Sequence, residues 1–330
     1  MNRLCLSVIV GIATLGSIGS AEQSPSEGPY KVLKTARVGG AGAFDYVYAD
    51  VDGRRLYIPR RDSASPQVTV FNLDTLEPVG VIPKANARGA AVDPASGHGF
   101  ASSKPVVMWD TRTLATIKTI DVQGRPDAIL FDPFNGRVYI FSPSAPNATV
   151  INAADGAVVG TIDLGGQPEQ AVTDGQGHVY VALEDKSQIA VIDAKTMKVT
   201  AHWDLGGKGG EPAGLAFDVK NHVLFAACAK PAAFVMLSSD DGKIITSLPI
   251  GAGTDGAAFN PATLEAFSSN RDGTLTVVKE NSPTSFVVEQ NVQTKAGAKT
   301  LALDTKTNQL FLITADRPIA DSFSILVVGK

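Results

Sequence analysis

One phrase of about 42 residues recurs seven times along this chain of 330, and a period of that length leaves few architectures open. Its clearest copy begins at Gly166 and the next at Gly210. An acid or amide closes the first apolar run of every copy: Asp50, Asp93, Asp132, Asp174, Asp218, Asn260 and Asp304, at spacings of 43, 39, 42, 44, 42 and 44 residues. A turn follows at once, as in Asp93-Pro94-Ala95-Ser96-Gly97. Asp, Asn, Pro and Gly suit such a place because they supply side-chain capping, a fixed φ or tolerance of positive φ. Three further short runs complete each copy. One alternates around an aromatic (Arg137-Val138-Tyr139-Ile140), one is β-branched (Ile189-Ala190-Val191-Ile192-Asp193), and one follows a tight turn (Ala157-Val158-Val159-Gly160-Thr161-Ile162). A unit of this size cannot bury its apolar faces alone and must stack on its neighbours.

Period-two runs with turn signals every 8–12 residues predict an all-β fold. Four strands per unit predict a seven-bladed β-propeller of four-stranded antiparallel blades, not a solenoid. The 32 glycines and 19 prolines furnish its turns. Length alone would allow two domains, but the uninterrupted repeat predicts one, spanning residues 30–330. The last copy supplies three strands and stops at Lys330, so its outer strand is missing. Residues 31–38 match the outer strand of other copies. They are predicted to pair with residues 323–328, so that an N-terminal strand closes the last blade and leaves no open edge. A closed ring of this kind is expected to be monomeric.

Residues 1–21 read as a cleavable signal peptide: Arg3, an apolar run from Leu4 to Ile18, then Gly19-Ser20-Ala21. Residues 22–29 read as a flexible leader. The expected location is therefore periplasmic or secreted, with no membrane span. Without the signal the chain has 28 basic and 33 acidic residues, a net charge of −5, which argues against a general polyanion binder. Cys228 is then the only cysteine, so no intramolecular disulfide forms. Its setting, Leu224-Phe225-Ala226-Ala227-Cys228, is that of a small buried hydrophobe.

The run Ile189-Ala190-Val191-Ile192-Asp193-Ala194-Lys195-Thr196, followed by an apolar strand and Gly-Gly-x-Pro, resembles the YVTN-type β-propeller repeat of exported proteins. The resemblance covers about residues 30–330. The namesake slots read Tyr57-Ile58-Pro59-Arg60, Tyr139-Ile140-Phe141-Ser142, Tyr180-Val181-Ala182-Leu183 and Phe267-Ser268-Ser269-Asn270, and only Asn270 keeps the final Asn. The resemblance implies an exported binding or surface protein and assigns no reaction.

Five residues before each strand-end acid lies the predicted channel mouth. There the copies place Asp45, Arg88, Asp127, Glu169, Ala213, Asp255 and Lys299. Six of the seven are ionisable, and these six are the candidate ligand-binding residues. They also read as a self-neutralising ring, with Arg88 between Asp45 and Asp127 and Lys299 between Asp255 and Asp45. A second set lies in the loops between second and third strands, on the same face: Arg60, Arg61, Lys104, Lys186, Lys230, Arg271 and Arg317 form a candidate basic rim. Acids beside them (Asp62, Glu184, Asp185, Asp272, Asp316) make the local field mixed. Tyr46, Tyr48, Trp109 and Trp203 suit either base stacking or core packing. His98, His178 and His222 fall in turns of separate blades on the opposite face, and no pair has metal-ligand spacing. There is no Ser flanked by glycines in a strand-to-helix turn, no phosphate-binding Gly-rich loop opening a helix and no Cys-x-x-Cys-His for haem, and no cofactor is expected.

Three classes of function remain. The first is an exported, non-catalytic binding or interaction propeller with a small polar ligand or a protein partner. The second is a hydrolase or lactonase using channel carboxylates. The third is a single-stranded nucleic-acid binder using the basic rim.

Overall fold

The computed structural model describes residues 26–40, 42–316 and 321–330. The segment read as a signal peptide, the first residues of the leader, and Arg317 lie outside the described residues. Among the described residues twenty-eight strands fall into seven four-stranded antiparallel sheets, and each sheet but the last is one copy of the repeat. Blade one is Tyr48–Asp50, Arg55–Arg60, Gln67–Asn72 and Pro78–Pro83, running from the inside outward, and the next five blades follow the same order. Neighbouring innermost strands touch all the way round, including Leu301–Asp304 of blade seven against Tyr48–Asp50 of blade one.

Blade seven is built from both ends of the chain. From outside to inside it runs Lys31–Arg37, Ser324–Gly329, Gln309–Thr314, Leu301–Asp304. The N-terminal strand pairs antiparallel with its neighbour from Lys31 opposite Gly329 to Arg37 opposite Ser324, with one irregularity between Val32 and Lys34. The chain before it is tied to blade six: the Ser26 N–H donates to the Asn291 carbonyl at 2.9 Å, and the Tyr30 hydroxyl donates to Glu265 at 2.5 Å. One strand thus satisfies the open edge of blade seven while its entry segment clamps blade six.

The repeated acid caps its turn. All seven strand-end residues, Asn260 included, accept a backbone N–H from the following turn, at 2.7–3.2 Å. These side chains are consumed by geometry and are not chemistry in waiting.

The apolar residues go to the seams between blades. Each of the seven seams has its own cluster. A middle strand feeds two of them, because successive side chains point to opposite faces. Val138 and Ile140 pack toward blade two, whereas Tyr139 and Phe141 pack toward blade four. This explains why middle strands read as apolar on both parities. Each fully buried Leu, Ile or Phe contributes about 1.5–3 kcal/mol, so the seams outweigh any single hydrogen bond. Trp109 is one such seam residue, fully buried against Tyr57, and Trp203 packs on Tyr180 at the seam of blades four and five. Cys228 is buried as a free thiol, and burial pushes it up to about 12, so it is not a nucleophile.

Candidate functional site

The entry to each innermost strand delivers one side chain to the top of the central channel. Six positions predicted from the repeat (Asp45, Arg88, Asp127, Glu169, Asp255 and Lys299) line a single cavity of about 500 Å³ there. The seventh, Ala213 of blade five, is buried and contributes no charge.

The charges form a chain of bridges that crosses blade boundaries. Arg88 donates to Asp45 at 2.8 Å and lies 3.3 Å from Asp127. Lys299 donates to Asp45 at 2.7 Å and also bonds Asp255. Arg271 donates to Asp255 at 3.0 Å, and Arg61 lies 3.7 Å from Asp45. Asp45, Asp127 and Lys299 are all buried. Burial works against the Arg88 cation, but Asp127 and Asp45 outweigh it and hold its pKa above the ordinary value.

The chain of bridges stops at Glu169. Ala213 supplies no cation between Glu169 and Asp255, and among the described residues the one side-chain bond to Glu169 comes from Tyr46, whose hydroxyl donates at 2.6 Å from the far side of the ring. Burial, reinforced by the Asp127 charge, pushes the Glu169 carboxyl up to about 8. Burial likewise pushes Asp127 up to about 7, against the pull of Arg88. Glu184, from the loop after the second strand of blade four, also faces the cavity, and burial followed by the charges of Glu211 and Asp255 raises it. Below the Tyr46 to Glu169 bar lies a separate space of about 240 Å³. There Gln170 accepts N–H bonds from Leu215 and Ala257, at 3.1 and 2.9 Å, and ties three blades together. Among the described residues, no group of three or more His, Cys, Asp or Glu is placed to hold a metal ion.

The candidate basic rim divides. Arg61 and Arg271 turn inward to the mouth. Lys104 bonds the Gly124 carbonyl at 2.5 Å, Lys186 lies 3.3 Å from Asp185, and Lys230 lies 3.1 Å from Glu211. Arg60 is not on the rim at all. It is 3% exposed, with its guanidinium 3.6 Å above the Phe323 ring. The error has a simple cause: Arg60 shares the strand parity of Leu56 and Ile58, which face the seam with blade seven. Two of the turn histidines, expected to stay separate, come together: His178 and His222 line one cavity of about 610 Å³ at the seam of blades four and five, because adjacent blades bring their turns side by side. His178 bonds Asp174 at 2.8 Å and His222 bonds Asp240 at 2.7 Å, both exposed, while His98 and His202 bond backbone carbonyls.

Tyr46 and Glu184 are the site members that the repeat register does not assign. Tyr46 follows a mouth position directly and so belongs by parity to the channel wall. Glu184 stands among rim acids, where nothing in one sequence marks it as turning inward.

No family model matches the chain, and no curated protein matches it. Among solved structures it is similar to a chain in the crystal structure of the mitotic checkpoint complex, at 9% identity with a TM-score of 0.75, over 100% of this chain and 99% of that one. At that identity the likeness speaks for the propeller fold alone. No helix among the described residues is long and apolar enough to cross a membrane.

Proposed function

We propose that this chain is an exported binding propeller that takes a small polar ligand at the channel mouth, with the ligand's donor groups received by Glu169 and Glu184. The observation that carries this reading is the break in the ion-pair chain. Every other carboxylate in the mouth has a cation within 4.0 Å, whereas Glu169 has only a phenol and Glu184 has no bonded side-chain partner among the described residues. A largely buried carboxyl in an open cavity, short of one cation, is completed by an amine or a set of hydroxyl donors. Native mass spectrometry of the protein isolated from its own host identifies what travels with it. The pair of changes Asp127→Asn and Glu169→Gln should then weaken that ligand tenfold or more. Retention by the double variant, or loss on changing His98, His178 and His222 instead, places the site elsewhere.

The raised pKa values favour a second reading, in which Asp127 and Glu169 act as general acid and base on an ester or lactone. One carboxyl at about 7 and another at about 8 titrate near neutral pH, where general acid–base catalysis is most effective. Hydrolysis of simple lactones with breaks in the pH profile near those values supports it, and a flat baseline rejects it. The rim offers no comparable support for nucleic-acid binding, since its lysines stand beside acids or carbonyls. A protein partner remains the alternative occupant of the top face, as befits a fold that also occurs in a checkpoint complex.

A further inference from the structure

The repeat supplies an internal control for Arg60. In blades three, four and six the slot that ends the second strand is fully buried and holds neutral groups: Ser142, Leu183 and Asn270. Ser142 donates to the Gln123 carbonyl, and Asn270 donates to Thr274 and Thr276. In blade one the same slot holds a permanent cation. Its Nε donates to the Thr69 hydroxyl at 3.3 Å, and its face lies on Phe323, but Nη1 is buried without a bond. No carboxylate stands within 4.0 Å of it among the described residues. Asp321, beside it across Gly40, is engaged by the Gly40 N–H at 2.9 Å. A buried ion without a counter-ion is a strongly unfavourable arrangement. Burial holds the Arg60 pKa down to about 10, and no charge opposes that effect.

The guanidinium faces a cavity of about 770 Å³ between the outer parts of blades seven and one, a volume suited to a small organic molecule. Its walls are apolar at Val38, Phe71, Leu76 and Pro78, the exposed Arg37 stands at its edge, and no acid among the described residues lines it. We propose that this cavity is a second binding site, for a small organic carboxylate with an apolar body, whose carboxylate sits on the Arg60 guanidinium. With Nε held by Thr69, the unbonded Nη1, beside Gly40 of the cavity wall, is the donor left for the carboxylate. One buried cation with apolar walls suits a monoanion better than a phosphate. The site is distinct from the channel mouth and does not depend on its reading.

Isothermal titration of the mature protein with octanoate, 3-phenylpropionate, 1-octanol, octylamine and acetate tests it. At least one of the two apolar carboxylates should bind at least tenfold more tightly than octanol, with octylamine and acetate weaker still. The change Arg60→Met should abolish the preference of carboxylate over alcohol, and Arg60→Lys should retain part of it. If octanol binds as tightly as both carboxylates in the wild type, if neither carboxylate binds, or if Arg60→Met keeps the preference, the site is not what we propose. The wild-type series decides alone should the Met variant fail to fold.

Discussion

Arg88 and Arg60 are the same residue type in adjacent blades, both withdrawn from solvent, and they stand in opposite electrostatic circumstances. Arg88 lies in the mouth between two carboxylates that come from other blades. Arg60 lies in the seam of blades seven and one with a ring, a hydroxyl and a cavity for company. The mouth shows how a ring of repeats solves the desolvation problem: six of the seven blades bring one charge at the same position, and from Asp127 round to Asp255 through Asp45 the signs alternate so that neighbours satisfy each other. The seam shows a charge that the fold leaves to something outside itself. A count of charges treats the two alike, and only the partner list separates them. The same contrast holds within the mouth, where Asp45 has three cations around it and Glu169 has none.

The largest effect should come from removing the strand that forms one side of this seam. Deleting residues 22–38 bares Ser324–Gly329 and removes the buried Tyr30. A row of ladder hydrogen bonds at about 1 kcal/mol each, together with a lost aromatic core residue, should cost more than about 5 kcal/mol. Calorimetry should show one cooperative transition at a lower temperature, and sedimentation should show association through the bared edge. A deletion that melts like the intact chain and stays monomeric would mean that blade seven closes in another way.

Next in size is the mouth itself. Lys299→Met leaves Asp45 and Asp255 without their shared cation. Removing one partner of a buried pair costs about 3–5 kcal/mol, read as a lower urea midpoint with an unchanged slope. An unchanged midpoint would show that Arg61, Arg88 and Arg271 satisfy those acids without Lys299.

The smallest effect is the dependence on pH. The folded pKa values of Asp127 and Glu169 lie above their ordinary values of 3.8 and 4.5, at about 7 and about 8. Between those limits the folded state binds more protons than the unfolded state, so stability falls as pH rises. The stabilisation is fully present below about pH 4 and is lost as pH passes through 7 and 8. Water in the open mouth reduces it to on the order of 1 kcal/mol. Glu169→Gln should flatten the upper part of that slope. A stability that climbs from pH 5 to pH 8 would contradict the raised values.

Much of this was legible before any coordinates. The turn acids fixed the phase of the repeat because an Asx cap has a fixed place relative to the strand it ends, so counting back five residues from Asp132 or Asp304 lands on Asp127 or Lys299. The missing outer strand of blade seven was legible as a deficit, and residues 31–38 as its complement. What a single sequence withholds is direction within a blade end. Arg60 and Arg61 are adjacent in one loop entry, yet one turns into the seam and the other toward the channel. Parity along Leu56, Ile58 and Arg60 carried that information, but a cation at the end of a strand reads first as a loop residue. The bar from Tyr46 to Glu169 was beyond reach, since it joins blades one and four across a channel whose width no local pattern encodes.

The two environments are best separated by one pair of variants under one condition. Urea unfolding at pH 7 of the wild type, Arg88→Met and Arg60→Met, with no carboxylate in the buffer, compares the loss of a paired and an unpaired cation of the same type. Arg88→Met should lower the midpoint, because it strands Asp127 and takes one of three cations from Asp45. Arg60→Met should raise it, because it removes an uncompensated charge and leaves a side chain that still packs on Phe323. Midpoints that fall in both variants to a similar extent would mean that Arg60 is as well satisfied as Arg88, and the distinction between mouth and seam would fail.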